Sequence, residues 1–493
     1  MAIAPSCFAL DPDTPGTLQQ RIRQMVAEAI LAGRLQPGER MPSSRGLASY
    51  LGVSRITVTL AYGDLVADDF LQARGRSGYF VSAQAVPPPV RAAPRVQDGA
   101  GVDWARALGP RAEAPLGSAK PADWRSYRFP FIYGQADPAL FDHQSWRACT
   151  LRALGQRDFP AMSDDSFEAD DPRLVEYIAR HSLPRRGILA RPEEVLVTLG
   201  AQNALWLAAQ LLLNQRRVAG IEDPGYPGLR AILGQTRCRV QPLAVGPQGL
   251  EPDRLPRGLD VLFCTPSHHC PTGATMPLNT RRALLRRAEA EGLLVVEDDY
   301  EFELATGGAA LPALKALDRS DRVIHVGSFS KSLFPGLRLG YLVGAEPFIR
   351  EARALRASVL RHPPGLIQRA AAYFLSLGHH DAMLRRLGAA FHQRRQITLD
   401  AVAREGLHLA SSTRAPGGSS LWMRAPDGLD TAALAARLRG QGVLIEPGAP
   451  FFHRPQAPTG FYRIAYSSIP ADRIPEGIAR IARIARAMEA PHG

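Results

Sequence analysis

The sequence predicts an amino-terminal winged helix-turn-helix domain followed by a large α/β domain with a doubly wound, mainly parallel sheet. The chain has 493 residues, which is too long for one ordinary hydrophobic core. Short helical patterns separated by turn signals fill residues 1–82. Beyond residue 126, apolar strand-like runs alternate with helical segments, as in doubly wound sheets. The clearest runs are residues 194–199, 261–264, 293–297 and 323–326.

Composition excludes several classes of protein. Hydrophobic residues make up 45% of the chain and charged residues 22%, which indicates a globular and not a disordered protein. No apolar run approaches the length of a membrane span, and the first residues lack the basic start of a secretory signal. The five cysteines are scattered without a CxxC pair. We therefore expect a cytoplasmic protein with no metal site and no membrane association.

Net charge alone does not locate a nucleic-acid-binding part. The formal net charge is +12, and 59 residues are lysine or arginine. Only three of these are lysines, namely Lys120, Lys315 and Lys331, which indicates coding bias more than a basic patch. The scarcity has a useful consequence, because any chemistry that needs a side-chain primary amine has only three residues to use.

The first 82 residues contain the pattern of a helix-turn-helix with a wing. Residues 18–32 form an amphipathic helical pattern, and two shorter helices are predicted over residues 45–50 and 55–68. Serines precede both shorter helices and are suited to cap them. Residues 71–82 then read as a hairpin with a glycine-flanked tip. The spacing alone leaves open that this is any small helical domain.

Residues 35–81, from LQPGERMPSS to GRSGYFV, resemble the GntR-type winged helix over nearly its whole length. The resemblance implies that residues 14–82 bind double-stranded operator DNA. The residues expected at base edges in the major groove are Ser54, Arg55 and Thr57. Those expected at phosphates are Ser43, Ser44 and Arg45. Gly78 is expected to let the wing approach the minor groove, whereas Leu47, Val58 and Leu65 are expected in the core.

A stretch rich in proline, alanine and glycine follows the wing. Residues 83–126 show little periodicity and contain PPP and LGPRAEAPLGSAKPAD, which predicts a semi-extended linker. Two tryptophans, Trp104 and Trp124, indicate that parts of this linker pack on a domain.

Two segments of the large domain suggest parts of a ligand site. Gly200, Ala201 and Gln202 follow a predicted strand and open an apolar helix, where free N–H groups bind anions such as phosphate. Tyr226 lies in a loop rich in proline and glycine, where it can stack on a flat ring. Each segment alone also fits an ordinary turn or a packed loop aromatic.

Two further segments carry titratable groups. The strand over residues 293–297 runs into Asp298, Asp299 and Tyr300, at the sheet edge where ligands bind in open α/β folds. Side chains alternate along a strand, so Asp298 and Tyr300 are expected to face one way and Asp299 the other. A carboxylate and a phenol on one face suit a pyridine ring; the alternative is an acidic solvent-exposed loop.

The last segment contains one of the three lysines. Lys331 follows a predicted strand and stands among Ser328, Ser330 and Arg338. A lysine with a lowered pKa can form a Schiff base, and the serines with a forked arginine can bind a phosphate. The alternative is an ordinary solvated lysine.

Together these segments look like the pyridoxal 5'-phosphate (PLP) site of fold-type I enzymes. With the winged helix and the linker, essentially the full chain resembles the MocR/GabR family of transcriptional regulators. The resemblance implies that residues 127–490 form an aminotransferase-like effector and dimerisation domain with a smaller carboxyl-terminal α+β part. It makes Lys331 the internal-aldimine lysine, Asp298 the partner of the pyridine nitrogen, Tyr300 the partner of the ring hydroxyl and Tyr226 the stacking aromatic. The implied phosphate cup consists of Gly200, Ala201, Gln202, Ser328, Ser330 and Arg338.

The resemblance also implies a ligand and a function. Arg463, in the context FYRIA, matches the arginine that clamps a substrate carboxylate. The expected effector is a small amino compound, an amino acid or amino sulfonate, sensed through external aldimine formation by a head-to-tail homodimer. Family members sense γ-aminobutyrate, taurine, ectoine derivatives or PLP itself. We expect a regulator and not an enzyme; the alternatives are an active aminotransferase with a DNA-binding domain and a plain GntR-type repressor with a relict site.

The chain departs from the family pattern in two places. His269 and Cys270 stand where a glutamine and an aromatic residue are usual. Residues 162–174 lack the expected tyrosine and glycine, so the tyrosine that reaches the neighbouring subunit's phosphate is missing from the pattern. These departures argue against efficient transamination but not against cofactor binding.

Overall fold

The computed structural model describes residues 3–11, 14–84, 102–108, 120–165, 169–304, 311–410, 418–453 and 456–489. The chain divides into two compact units, Met1–Gly109 and Pro110–Gly493. Each unit is described by itself below.

The first unit contains three helices and a two-stranded wing, followed by a short fourth helix. Its elements are α1 (Leu18–Leu31), α2 (Ser44–Leu51), α3 (Arg55–Ala67), β1 (Leu71–Ala73), β2 (Tyr79–Val81) and α4 (Trp104–Ala107). The two strands pair antiparallel, with Leu71 opposite Val81. The three residues expected in the core, Leu47, Val58 and Leu65, are fully buried together with Ile22 and Val26 of α1. The winged helix-turn-helix predicted from the sequence is therefore the observed fold.

The second unit is an α/β domain. Its helices are α5 (His143–Ala153), α6 (Phe159–Ser163), α7 (Pro172–Tyr177), α8 (Ala201–Leu212), α9 (Pro227–Thr236), α10 (Leu278–Glu291), α11 (Leu314–Leu317), α12 (Glu346–Leu360), α13 (Gly365–Ser376), α14 (His379–Arg404), α15 (Thr431–Arg439) and α16 (Ile474–Glu489). Its strands are β3 (Phe129–Pro130), β4 (Val195–Thr198), β5 (Val218–Asp223), β6 (Arg239–Gly246), β7 (Gly249–Leu250), β8 (Val261–Cys264), β9 (Leu294–Asp298), β10 (Val323–Ser328), β11 (Gly340–Val343), β12 (His408–Leu409), β13 (Ser420–Arg424), β14 (Val443–Leu444), β15 (Glu446–Pro447) and β16 (Phe461–Ala465).

The main sheet has eight strands in the order β4-β11-β10-β9-β8-β5-β6-β7. The central strands β10, β9, β8, β5 and β6 run parallel, whereas β11 is antiparallel to both of its neighbours. Alternate residues of β4 enter different cores: Val195 and Val197 pack with α13, and Leu196 packs with α8. Burial on both faces explains why these strands read as continuous apolar runs in the sequence.

A second, smaller sheet carries the carboxyl-terminal part. Its order is β12-β13-β16-β15, all antiparallel, and α15 and α16 belong to the same part of the chain. The start of the domain contacts this carboxyl-terminal part, because β3 pairs in parallel with β14 in a separate two-stranded sheet. The sequence predicted this small α+β part.

Only a short piece of the predicted linker is described. Trp104 in α4 is exposed, contrary to the expectation that it packs, because no described residue covers it. Trp124 is buried and packs against Ile132 and Leu444. The rest of the linker, residues 85–101 and 109–119, lies outside the described residues. Within the described ranges no helix is both long and apolar enough to cross a bilayer.

A buried ionic cluster lies at the start of α7, within the stretch where the family tyrosine was expected. Asp170 accepts hydrogen bonds from Arg353 Nη1 (3.0 Å), from Arg356 Nη1 (2.6 Å) and from the backbone N–H of Val197 (3.1 Å). Arg356 is fully buried, so its charge depends on this carboxylate. In this chain the acidic stretch therefore ties α12 to the edge of the sheet.

Asp170→Asn should lower the free energy of unfolding by about 3–5 kcal/mol, because it leaves a buried guanidinium without its counter-charge. Asp381→Asn is the control, since it breaks a more exposed pair with Arg185 and should cost less than about 1 kcal/mol. Urea unfolding of both variants checks this. Equal, small losses would show that the Asp170 cluster does not stabilise the domain.

Candidate functional site

A cavity of about 540 Å³ opens at the carboxyl edge of the main sheet. β9 ends at Asp298, β10 ends at Ser328, and β4 ends just before the turn into α8. This edge is where open α/β sheets bind ligands. All of the predicted cofactor and ligand residues except Gly200 line the cavity: Ala201, Gln202, Tyr226, Asp298, Tyr300, Ser328, Ser330, Lys331, Arg338 and Arg463.

Asp298 lines this cavity, and one of its carboxylate oxygens is buried without a partner among the described residues. Among the described residues, no donor lies within hydrogen-bond distance of its buried Oδ1 atom. Burial raises the pKa of Asp298 to about 7; the charge of Asp299 adds to this and that of Lys331 opposes it. Asp299 points the other way and pairs with Arg186 Nε at 2.6 Å. The alternation expected along this strand is observed.

Lys331 lies in the same cavity, and its amine is buried. Burial lowers the pKa of Lys331 to about 8, with Glu301 opposing the shift and Arg463 adding to it. Its Nζ atom lies 4.2 Å from the centre of the Tyr133 ring. Gly134 makes room for this amine, because a Cβ atom at that position would collide with Nζ. Near pH 8, about half of Lys331 is therefore a neutral amine.

One end of the cavity is suited to an anion. Gly200, the N-cap of α8, has a φ of 80° and no side chain to accept from the first-turn N–H groups. Arg338 donates from Nη2 to the carbonyl of Leu199 at 3.0 Å, which holds its guanidinium beside this helix start. A Cβ at Gly200 would lie 3.4 Å from the guanidinium carbon. Helix N–H groups and a fixed cation together favour a phosphate.

Tyr226 and Tyr300, two of the tyrosines that line the cavity, are neutral hydrogen-bond donors. Tyr226 donates to Gln202 Oε1 at 2.7 Å, and Tyr300 donates to the carbonyl of His268 at 2.9 Å. Burial raises the pKa of Tyr226 to about 12 and that of Tyr300 still further. Ser328 Oγ accepts from the N–H of Ser330 at 3.2 Å, which orders the turn before Lys331.

Arg463 is already paired in the structure. Its Nε and Nη2 atoms donate to the two carboxylate oxygens of Glu446 at 2.9 and 3.2 Å, because β15 and β16 place these residues opposite each other. Burial opposes the charge of Arg463, but the Glu446 carboxylate more than offsets it, so the pKa of Arg463 is raised. The remaining nitrogen, Nη1, borders the cavity 3.8 Å from the sulfur of Cys270.

Tyr133 connects the lysine and the arginine. Its ring centre lies 4.2 Å from Lys331 Nζ and 4.1 Å from Arg463 Cζ. Its hydroxyl donates to Glu301 Oε2 at 3.0 Å and its backbone N–H donates to Glu446 Oε2 at 3.2 Å. Sequence reasoning missed Tyr133, Glu301 and Glu446. Only the tertiary contacts of Tyr133 and the pairing of β15 with β16 reveal them.

The departures at His269 and Cys270 have different environments. His269 lies behind the cavity, where its Nδ1 atom is 2.7 Å from Thr272 Oγ1 and Nε2 is 3.5 Å from Glu222 Oε2. Burial lowers the pKa of His269 to about 3, so its ring is neutral. Cys270 lines the cavity, and burial raises its pKa to about 11, so it remains a thiol.

The predicted DNA-binding residues lie on the helix-turn-helix and the wing. Ser43 caps α2 by accepting from the N–H of Gly46 at 3.0 Å, and it stands next to Ser44 and the exposed Arg45. Ser54 caps α3 by accepting from the N–H of Thr57 at 3.1 Å. Arg55 is exposed in the first turn of α3. Gly78 at the wing has a φ of 95°, a conformation that other residues rarely adopt.

The chain matches two known families. Residues 18–81 match the bacterial regulatory proteins of the gntR family, and residues 169–481 match the aminotransferases of class I and II. The HTH-type transcriptional regulator TauR of Rhodobacter capsulatus is 58% identical, over 99% of this chain and 100% of its own. The rhizopine catabolism regulatory protein MocR of Rhizobium meliloti is 30% identical, over 96% and 94%.

One of the similar solved structures is an aminotransferase with a bound ligand. The α-aminoadipate aminotransferase LysN of Thermus thermophilus, complexed with N-(5'-phosphopyridoxyl)-L-leucine, has a TM-score of 0.71 and 29% identity. The similarity covers 79% of this chain and 100% of LysN. The large domain therefore has the fold of aminotransferases, as the sequence predicted.

The amine of Lys331 should become reactive near pH 8, because the neutral form reacts and burial lowers its pKa to that value. We expect labelling of Lys331 by a small acylating reagent to rise with pH and to be half-maximal at about pH 8. Mass spectrometry of the digest measures it, with Lys120 in the same sample correcting for reagent decay. A midpoint above pH 10 for Lys331 would contradict the buried environment.

Proposed function

The chain belongs to the MocR type of GntR-family transcriptional regulators, and from this premise we propose that its large domain binds PLP at Lys331 and senses a small amino compound. We assign residues 14–82 to DNA binding, 83–126 to the linker and 127–490 to the effector and dimerisation domain. The observation that carries the proposal is the shared burial of Lys331 and Asp298 in one cavity with an anion site at its end.

The residues of the cavity fit PLP. The unpartnered Oδ1 of Asp298 suits a protonated pyridine nitrogen, which would supply the donor that this oxygen lacks. The start of α8, with Arg338, Ser328 and Ser330, suits the phosphate group. When bound, PLP supplies an aldehyde that condenses reversibly with primary amines. Tyr226 and Tyr300 keep their protons and so remain available as a stacking ring and a donor.

Residues around Lys331 make its amine reactive and hold it in position. The lowered pKa of Lys331 means that its Nζ lone pair is free without a separate base near pH 8. The Tyr133 ring and Gly134 confine this amine, and the Tyr133 hydroxyl is held by Glu301. Lys331 would therefore hold PLP through its amine, and it is the group with which a ligand's amine would compete.

The ligand should be short and carry an acid group. Arg463 supplies the fixed cation at the cavity, and its Nη1 atom is the nitrogen that does not pair with Glu446. Lys331 Nζ and Arg463 Cζ each lie close to 4 Å from the same ring centre, so they are at most about 8 Å apart. One hydrogen bond from Nη1 to an oxyanion takes up about 3 Å of this span. An amino acid or amino sulfonate with a short spacer meets these constraints.

The same proposal covers the assembly. We infer a cytoplasmic, head-to-tail homodimer on operator DNA, since two winged helices on paired half-sites bind far more tightly than one. Named relatives that share both domains are transcriptional regulators, which favours regulation over the aminotransferase alternative. The plain-repressor alternative does not account for the retained Lys331, Asp298 and Arg338.

Lys331→Ala should bind operator duplex with wild-type affinity but lose its response to amino compounds, because the recognition helix belongs to the other unit. DNA binding is measured by fluorescence anisotropy at fixed salt, with and without taurine, β-alanine and γ-aminobutyrate. Lys315→Ala is the control, since Lys315 pairs with Asp318 and Asp321 outside the cavity. A full response in Lys331→Ala would refute sensing at this lysine.

Arg463→Lys should weaken the response to the same acids by about 1.5–3 kcal/mol, because an ammonium cannot keep both Glu446 and a ligand oxyanion in a planar fork. Titration of the absorption change of the PLP-loaded protein measures this. Arg424→Lys on the same small sheet is the control, because Arg424 is exposed and pairs with Asp427. Unchanged affinity in Arg463→Lys would remove Arg463 from the ligand site.

A further inference from the structure

The outward face of α3 carries an apolar ridge. Ile56 is 72% exposed and Leu60 is 50% exposed, and the two residues lie one helical turn apart. The opposite face of the helix is buried through Val58, Ala61 and Leu65. A single exposed apolar residue needs no explanation. Two on one face of the second helix of a helix-turn-helix form a surface, which we call the Ile56–Leu60 ridge.

The hydroxyl groups around this ridge are already engaged. Ser54 Oγ accepts from the N–H of Thr57 and lies 2.8 Å from Thr57 Oγ1. Thr59 Oγ1 donates to the carbonyl of Arg55 at 2.9 Å, which uses its only proton. Ser54 and Thr57, which the sequence suggested as base readers, therefore first serve to start the helix. What α3 offers a base edge is the Arg55 guanidinium and the apolar ridge.

The major groove contains one apolar group that matches such a ridge. The C5 methyl of thymine is the only hydrocarbon group on the base edges there, and it distinguishes thymine from cytosine and from the purines. Residues near the start of the second helix meet base edges in this motif. Ile56 is the second residue of α3, beside Arg55. We propose that the Ile56–Leu60 ridge reads thymine methyl groups, with Ile56 as the main contact.

This inference rests on DNA binding by the winged helix, but it is independent of the cofactor. The proposal predicts a thymine in each half-site, at a base next to the one that Arg55 contacts. A protein surface is the competing occupant of an apolar ridge. The two occupants can be distinguished, because loss of a methyl group from the DNA would not weaken a contact between the ridge and a protein.

Replacing thymine by uracil removes only the methyl and keeps every hydrogen-bonding group of the base pair. A duplex is first selected from a random pool with the full-length protein. Each thymine of that duplex is then replaced singly by deoxyuracil, and affinity is measured at fixed salt. At one or two thymines in each half-site, we expect uracil to weaken binding about 3- to 5-fold, as for one buried methyl-sized group.

A variant completes the cycle. Ile56→Ala should bind the thymine duplex more weakly and should no longer distinguish uracil from thymine at the contacted position. Leu31→Ala is the control, since Leu31 is equally exposed but ends α1, and it should keep the wild-type uracil response.

Three results would overturn the proposal. One is a selected duplex that tolerates uracil at every position. Another is an Ile56→Ala protein that keeps the wild-type uracil response. The third is an Ile56→Ala protein whose oligomeric state changes while its uracil response does not, which would make the ridge a protein contact. Failure to select any duplex would instead refute DNA recognition by the winged helix itself.

Discussion

The burial of Lys331 and Asp298 in one cavity is the constraint on which the site depends. Away from water each charge is disfavoured, so the lysine loses its proton more readily and the aspartate keeps its proton to higher pH. The same burial leaves Asp298 Oδ1 without a partner among the described residues, which is costly unless a ligand supplies a donor. In our proposal, a protonated pyridine ring supplies the donor that this oxygen lacks.

The walls of that site come from parts of the chain that are far apart in sequence. Tyr133 lies just after the linker, yet it contacts Glu301 at the end of the main sheet and Glu446 on the small sheet. Its neighbour Ile132 packs with Trp124, the buried tryptophan at the end of the linker. Tyr133, which contacts both Lys331 and Arg463, is thus the next residue after one that packs on Trp124.

Sequence patterns predicted the positions of side chains correctly where these depend on neighbouring residues in the chain. The alternation along one strand placed Asp298 and Tyr300 at the cavity and Asp299 against Arg186, and serine caps marked where α2 and α3 begin. Patterns failed where contacts depend on tertiary structure: Glu446 lies opposite Arg463 through the pairing of β15 with β16, and Tyr133 contacts Glu446 from 313 residues away. The assignment of Ser54 and Thr57 to base contacts stays a prediction, and the structure adds that their hydroxyl oxygens lie 2.8 Å apart.

Borohydride reduction tests the central claim most directly, because it fixes PLP covalently to whichever amine holds it. The purified protein is saturated with PLP, reduced, digested and analysed by mass spectrometry. With only three lysines in the chain, the outcome is unambiguous. We expect the phosphopyridoxyl group on Lys331 and not on Lys120 or Lys315. Modification of either other lysine in place of Lys331, or of none, would contradict the account.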